Sequence, residues 1–207
     1  MIKTFTKTDL ETCIYSVRNA GDKERPDDKY NKASVLVLFI NDDIKKNSSI
    51  LMIKRRDNLR KHPGQIAFPG GRKEKKDFNL EETAKRETEE EINLSREHFS
   101  IVGNFPKFFT GTGYVVTPFI GIIKSNSNWE KVLKPNLSEV EQIFFPPTEC
   151  LLSPEYHLRE KPPVNSSMSM TWAINYNDKN IWGLTARVLV TISAGLGLRE
   201  FPPCDDI

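Results

Sequence analysis

Apolar residues fall into two spacings along this chain. Between residues 8 and 20, Leu10, Cys13, Ile14 and Val17 stand at i, i+3, i+4 and i+7, the single apolar stripe of a short helix that packs as a lid on the core, with Thr8 as its cap. Residues 21–32 are polar and aperiodic around Pro26, which reads as a loop. Residues 33–40 (ASVLVLFI) are a continuous β-branched and aliphatic run, predicting a strand buried on both faces. After a turn at 41–48, residues 49–54 supply its hairpin partner. Residues 97–105 and 114–124 read as further strands, and the intervening loop carries Phe108, Phe109 and two glycines. Residues 128–135 read as an insertion. In 138–145 the apolar positions Val140, Ile143 and Phe144 fit a strand or a helix equally. Residues 154–167, polar and punctuated by prolines, predict a loop, and the alternation in 168–176 predicts a strand with Trp172 in the core. Residues 181–198 predict an apolar helix with the stripe Leu184, Val188, Thr191 and Ile192, ended by Gly195 and Gly197. Strands mixed with a central and a closing helix give an α/β/α sandwich around a mixed sheet.

Length and charge narrow this picture. The chain has 207 residues, enough for one full core, and the whole of it is expected to be a single domain, with a core at about 30–200 and an N-terminal helix and loop before it. No apolar run approaches a membrane span, and the N-terminus lacks the continuous apolar core of a signal peptide, so the expected address is the cytoplasm, with no membrane partner. Thirty Lys and Arg against 28 Asp and Glu leave a net charge of +2 and offer no broad basic surface for nucleic acid. Any anion site must therefore be local. Cys13, Cys150 and Cys204 are scattered without C-x-x-C spacing and read as free thiols, with Cys13 in a helix core. Oligomeric state is not legible in the chain.

The most informative stretch runs from Gly70 to Leu94. A double glycine after Phe68-Pro69 leads into a helix capped by Asp77 or Asn79, so that backbone at Gly70 and Gly71 approaches the helix face closely. At 100° per residue Glu87, Glu90 and Glu91 share an arc of about 100°. Like charges at i,i+4 repel, and a hard divalent cation together with substrate phosphates relieves that repulsion. Without the glycine flank, the same acidic run is an ordinary solvated helix face, and Glu87 and Glu91 are expected on an exposed face where substitution hardly changes packing. Upstream, residues 55–64 (RRDNLRKHPG) form the densest basic patch, read either as a solvated loop or as a phosphate contact through the guanidinium forks of Arg55 and Arg60.

The segment Arg86-Glu87-Thr88-Glu89-Glu90-Glu91-Ile92-Asn93-Leu94 resembles the second half of the Nudix box, G-x5-E-x7-R-E-U-x-E-E-x-G-U, where U is aliphatic. Asn93 replaces the final glycine, and the interval from Gly71 to Arg86 is one residue longer than the general pattern, which leaves Asp77 as the best match to the early acid. The coenzyme A diphosphatase subgroup carries the same lengthening and an upstream signature, L-L-T-x-R-[SA]-x3-R-x3-G-x3-F-P-G-G. Its intervals are all kept here by Leu51, Arg55, Arg60, Gly64 and Phe68-Pro69-Gly70-Gly71, while Met52, Ile53 and Arg56 depart in type. The segment Trp182-Gly183-Leu184-Thr185-Ala186 is similar to a W-G-x-T-A run of the same branch.

The resemblance implies the Nudix fold, Mg²⁺ or Mn²⁺ held by Glu87, Glu90 and Glu91, and Arg86 orienting those glutamates without touching substrate. Because a metal-bound water already has a lowered pKa, Glu90, central to the arc, is expected to act as ligand and proton acceptor together, and Glu139 or Glu141, in a stretch similar to the family's E-V-x-x-I-F strand, either adds a carboxylate or faces solvent. The implied substrate is a small nucleotide, coenzyme A or its acyl thioesters, held by Arg55, Arg60, Gly70 and Gly71 and cleaved at the diphosphate to 3',5'-ADP and 4'-phosphopantetheine or its acyl form. The alternatives are a broader hydrolase of nucleoside diphosphates such as ADP-ribose or dinucleoside polyphosphates, an RNA-decapping activity, and a non-catalytic binding module. The last would lack one of the box glutamates.

Overall fold

The computed structural model describes residues 4–20, 26–42, 44, 46–124, 128–163 and 170–202. Helix α1 (Lys7–Ala20) opens the chain and is followed by β1 (Asn31–Asp42), β2 (Asn47–Ile50), β3 (Met52–Arg55), β4 (Ile66–Ala67) and β5 (Gly70–Arg72). Helix α2 (Leu80–Ile92) leads to β6 (Phe99–Asn104), β7 (Phe108–Phe109), β8 (Tyr114–Ile123) and the short α3 (Trp129–Val132). Then come β9 (Val140–Phe144), α4 (Thr148–Leu152), β10 (His157–Glu160), β11 (Thr171–Tyr176), β12 (Lys179–Trp182) and α5 (Leu184–Gly195).

The largest sheet runs β2-β1-β8-β6, with β5 also on β1 and β7 on β8. Strands β1 and β8 are parallel and the other pairings are antiparallel, so the sheet is mixed. Two three-stranded sheets, β4-β3-β9 and β10-β11-β12, complete the fold. Strand β1 explains its unbroken apolar sequence, since its two faces feed two cores. Leu36 and Leu38 pack with Ala84 and Ile92 of α2. Val37 and Phe39 belong to the core that holds Leu10, Cys13, Ile14 and Val17 of α1 and Val188, Leu189 and Ile192 of α5. A Cβ on Gly195 would lie 2.7 Å from the Cys13 sulfur, so the bare backbone there lets α1 and α5 touch. The Cys13 thiol is buried, and burial pushes its pKa up to about 12.

Several sequence expectations change here. Thr6, not Thr8, caps α1: its N–H donates to the Asp9 carboxylate and its hydroxyl accepts from the Asp9 N–H, at 2.8 and 3.2 Å. The hairpin partner at 49–54 is two strands. Strand β2 pairs with β1, and after Leu51 the chain passes to β3 in another sheet, because both sides of this segment are buried. Residues 181–182 belong to β12, and the helix begins only after Gly183 at φ 66°. The loop at 154–167 contains β10, the insertion at 128–135 contains α3 with Trp129 buried, and the loop at 106–113 contains β7. The undecided stretch 138–145 holds a strand, β9, paired with β3. Residues 21–25, 164–169 and Cys204, on which readings were also made, lie outside the described residues. Among the described residues no helix is long and apolar enough to cross a membrane.

Candidate active site

The carboxylate helix is set in place at both ends. Asn79 caps α2 by accepting from the Glu82 N–H at 2.8 Å, and Asn93 ends it in the left-handed region at φ 57°, with its N–H on the Glu89 carbonyl. Asn is tolerated there because its short polar side chain lowers the cost of that conformation. Asp77 is not the cap. It accepts from the Glu74 N–H and the Thr83 hydroxyl, and its two oxygens receive Arg86 Nε at 2.8 Å and Nη2 at 3.0 Å. This bidentate pair is almost fully buried, with side-chain exposures of 4% for Asp77 and 13% for Arg86. Arg86 holds the Asp77 carboxyl well below its ordinary pKa.

Arg86 also gathers the other acids. Its Nη2 lies 2.8 Å from Glu87 Oε1 and donates to the Arg72 carbonyl, while Nη1 donates to Glu90 Oε2 at 2.7 Å. Lys76 adds a second cation 3.5 Å from Glu90. The bare backbone at Gly71 leaves room for Glu87 in its present position: an added Cβ would fall 2.5 to 2.7 Å from the Glu87 carboxylate atoms, which would have to turn away. The Gly70 N–H donates to Glu91 Oε2 at 3.0 Å, and Arg55 Nη1 donates to Glu91 Oε1 at 3.0 Å. Arg55 Nη2 is also 3.7 Å from Glu139 Oε2.

Glu87, Glu91 and Glu139 therefore face one region, in which each carboxylate feels the others. Burial pushes Glu91 up to about 7, opposed by the Gly70 N–H and Arg55 and reinforced by the charges of Glu87 and Glu139. Burial also raises Glu87, with Arg86 opposing and Glu90 and Glu139 adding to the rise. The expectation of an exposed face fails for Glu91, which is buried because α2 lays it under β5 and against Arg55, and holds only in part for Glu87, whose side chain is 18% exposed beside Gly71 and Arg86. Arg55, Gly70 and Gly71 surround the carboxylates. Arg60 is exposed on the basic loop and joins none of these ion pairs. Glu141 is drawn to Lys54 at 2.7 Å and Glu139 remains toward the site. The close approach of the Gly71 backbone to the helix face was read from the sequence, and the structure names Glu87 as the side chain it meets; Lys76 was not read. Lys76 sat in an undifferentiated charge run, and only its place opposite Glu90 separates it from its neighbours.

Among the described residues no three His, Cys, Asp or Glu side chains converge as a finished metal cage. The acids are turned to arginines instead. The donor set nevertheless fits a hard divalent cation: its donors are all carboxylates, two with raised pKa from burial and mutual repulsion, beside a backbone that admits no side chain. Glu87, Glu90 and Glu91 would hold it. When bound, such an ion neutralises phosphate charge and lowers the pKa of a coordinated water.

A family model described as the NUDIX domain matches residues 30–165. An uncharacterized Nudix hydrolase NudL from Pectobacterium atrosepticum is 33% identical over 168 residues, covering 80% of this chain and 82% of that protein. Its namesake from Yersinia enterocolitica is 34% identical over 144 residues, covering 68% and 70%. A MutT/nudix family protein from Enterococcus faecalis shares the fold at a TM-score of 0.52 and 14% identity, covering 92% of this chain and 74% of that one. With the box acids assembled around Arg86 and the family model spanning most of the chain, this protein belongs to the Nudix hydrolases.

Proposed function

We propose that this Nudix hydrolase cleaves the diphosphate bond of coenzyme A or acyl-CoA, releasing 3',5'-ADP and 4'-phosphopantetheine or its acyl form, with Mg²⁺ or Mn²⁺ and in the cytoplasm. One observation carries the reading beyond the family. The upstream run that resembles the coenzyme A signature folds onto the carboxylates, with Arg55 and the Gly70 N–H on the two oxygens of Glu91. These contacts support reading the run and the box as one site. Nudix hydrolases act on small nucleotides with divalent ions, and catalysis of phosphoryl displacement is mainly positioning and charge stabilisation. In this reading Arg86 fixes the carboxylates and makes no substrate contact. Glu90, the most exposed of the three box glutamates at 49%, serves as ligand and proton acceptor, while Glu139 acts on the attacking water by position. Arg55, Gly70 and Gly71 border the diphosphate, and Arg60 is the solvent-side guanidinium for an incoming anion.

The test is a metal-dependent hydrolysis screen with coenzyme A, ADP-ribose, NADH and diadenosine polyphosphates, with products identified. Coenzyme A should show the highest kcat/KM and yield 3',5'-ADP. Equal or faster cleavage of ADP-ribose or a diadenosine polyphosphate would replace this reading with the broader nucleoside-diphosphate hydrolase.

A further inference from the structure

The face of the large sheet that α5 covers, opposite the face that packs on α2, carries two cation–aromatic pairs. Lys61 Nζ stands 5.6 Å from the centre of the Tyr114 ring and 3.3 Å from its hydroxyl. The Arg187 guanidinium lies 5.3 Å from the centre of the Phe108 ring. Strand register places the two rings side by side. Phe108 is opposite Val116, and Tyr114 is two residues before Val116 on the same face, a diagonal separation of about 7 to 8 Å. The pairs differ in access, since Phe108 is buried, Tyr114 is half-buried and Lys61 is exposed.

The same register relates Tyr114 to β5. Arg72 pairs with Ala33, which pairs with Val116, so the backbones of Tyr114 and Arg72 are about 12 Å apart in the plane of the sheet. Gly71, next to Arg72, stands against Glu87. The acids and the Tyr114 ring are on opposite faces of the sheet, so a ligand that touches both passes around it. The basic loop links the two ends: it leaves the carboxylates at Arg55 and reaches Tyr114 at Lys61. Lys61 is the loop cation seen on an aromatic ring, whereas Arg55 is engaged by Glu91 and Arg56 donates to the Leu137 carbonyl.

We propose that Lys61 and Tyr114 form the nucleoside end of the substrate site, with the base stacked on Tyr114 and a ribose phosphate paired with Lys61. This rests on the reading of the substrate as coenzyme A and assigns its adenosine 3',5'-bisphosphate half to these residues. An aromatic face is a sequence-tolerant platform for a base, and an ammonium is a point charge suited to a terminal phosphate. Lys61 therefore senses the 3'-phosphate, and Tyr114 senses the base whether or not that phosphate is present.

Binding of 3',5'-ADP and of AMP, measured by calorimetry without metal, tests the assignment separately from turnover. Lys61→Gln should weaken 3',5'-ADP about tenfold and leave AMP within twofold. Tyr114→Leu should weaken both about tenfold, and Tyr114→Phe should bind both as the wild type does. In turnover, Lys61→Gln should lower kcat/KM for coenzyme A through KM and leave dephospho-coenzyme A unchanged. Wild-type affinity for both nucleotides in Lys61→Gln and Tyr114→Leu would overturn the proposal, as would a wild-type protein that binds neither. Nucleotide binding lost in the variants, in a protein that does not cleave coenzyme A, would keep this site and reject the coenzyme A reading. Lys61 is exposed on its loop, so its variant answers the question even if Tyr114→Leu melts early.

Discussion

Arg86 makes more polar contacts than any other side chain at the site, with five partners: Asp77, Glu87, Glu90, the Arg72 carbonyl and, at 4.0 Å, Glu74. Because its pair with Asp77 is buried, removing one partner is costly, about 3 kcal/mol for Asp77→Ala. The pair also has a pH signature. The Asp77 pKa is lowered in the folded state, so its contribution is present above the unfolded pKa of about 4 and is lost as pH falls below it toward the depressed value. The stability gap between wild type and Asp77→Asn, from urea unfolding, should therefore be widest near pH 7 and narrow steadily below pH 4. A gap independent of pH would mean that the Asp77 charge contributes nothing. Glu91 and Glu87, the two proposed ligands that flank Arg86 and Arg55, should separate in the same experiment. Glu91→Gln leaves Arg55 with only the longer contact to Glu139 and should cost about 1 to 2 kcal/mol. Glu87→Gln leaves Arg86 two other carboxylates and should stay within about 0.5 kcal/mol. Both should lower turnover by at least about 100-fold if, as proposed, each is a charged donor to the metal. Full activity in either variant at limiting Mg²⁺ removes that residue from the set.

At the scale of elements, β5 and α2 act as one unit, because the missing side chain at Gly71 makes room for Glu87. Gly71→Ala puts a methyl into the carboxylate and forces it to turn away. The metal midpoint of activity should rise and kcat fall by about 100-fold or more, with little change in the melting temperature because no core contact is lost. A wild-type metal midpoint would show that Glu87 is free to move without consequence. Local pattern made the unit legible: the glycine pair, the helical spacing of the acids and the Asn at the helix end were all readable from neighbours in sequence. Elements decided by distant partners were not. Strand β10 has a half-exposed sequence, His157 to Glu160, with no alternation, and becomes a strand through pairing with β11. Strand β12 merged with α5 in the sequence because Ile181 and Trp182 continue its apolar run, and Gly183 at positive φ was the signal that divides them. Nothing local reveals that β3 delivers Arg55 to Glu91, and Glu91 looked exposed for the same reason.

The whole molecule is tied together by β1, whose alternate residues enter both cores, Leu36 and Leu38 on the α2 side and Val37 and Phe39 on the α1 and α5 side. Neither core can be lost while the other keeps its wall, so unfolding should be one cooperative transition, and truncation at Leu38 or Phe39 to Ala should lower the same single midpoint by about 2 to 5 kcal/mol. Two resolved transitions would divide the chain into separate units. The metal reports on the same transition from the site. Without it, Arg86 and Arg55 already hold Glu87, Glu90 and Glu91, so the metal-free protein should be folded and chelator should leave a sharp melt. A ligand that binds only the folded state adds about 2.7 kcal/mol at a hundredfold excess over its Kd. For a chain of this length that is a rise of roughly 5 to 10 °C in Tm. Saturating Mn²⁺ should produce this rise in the wild type and not in Glu87→Gln, because the folded state then lacks a charged donor while the unfolded chain is nearly unchanged. Equal rises in the two proteins would place the metal elsewhere on the molecule and separate the acids of α2 from the ion that the reaction uses.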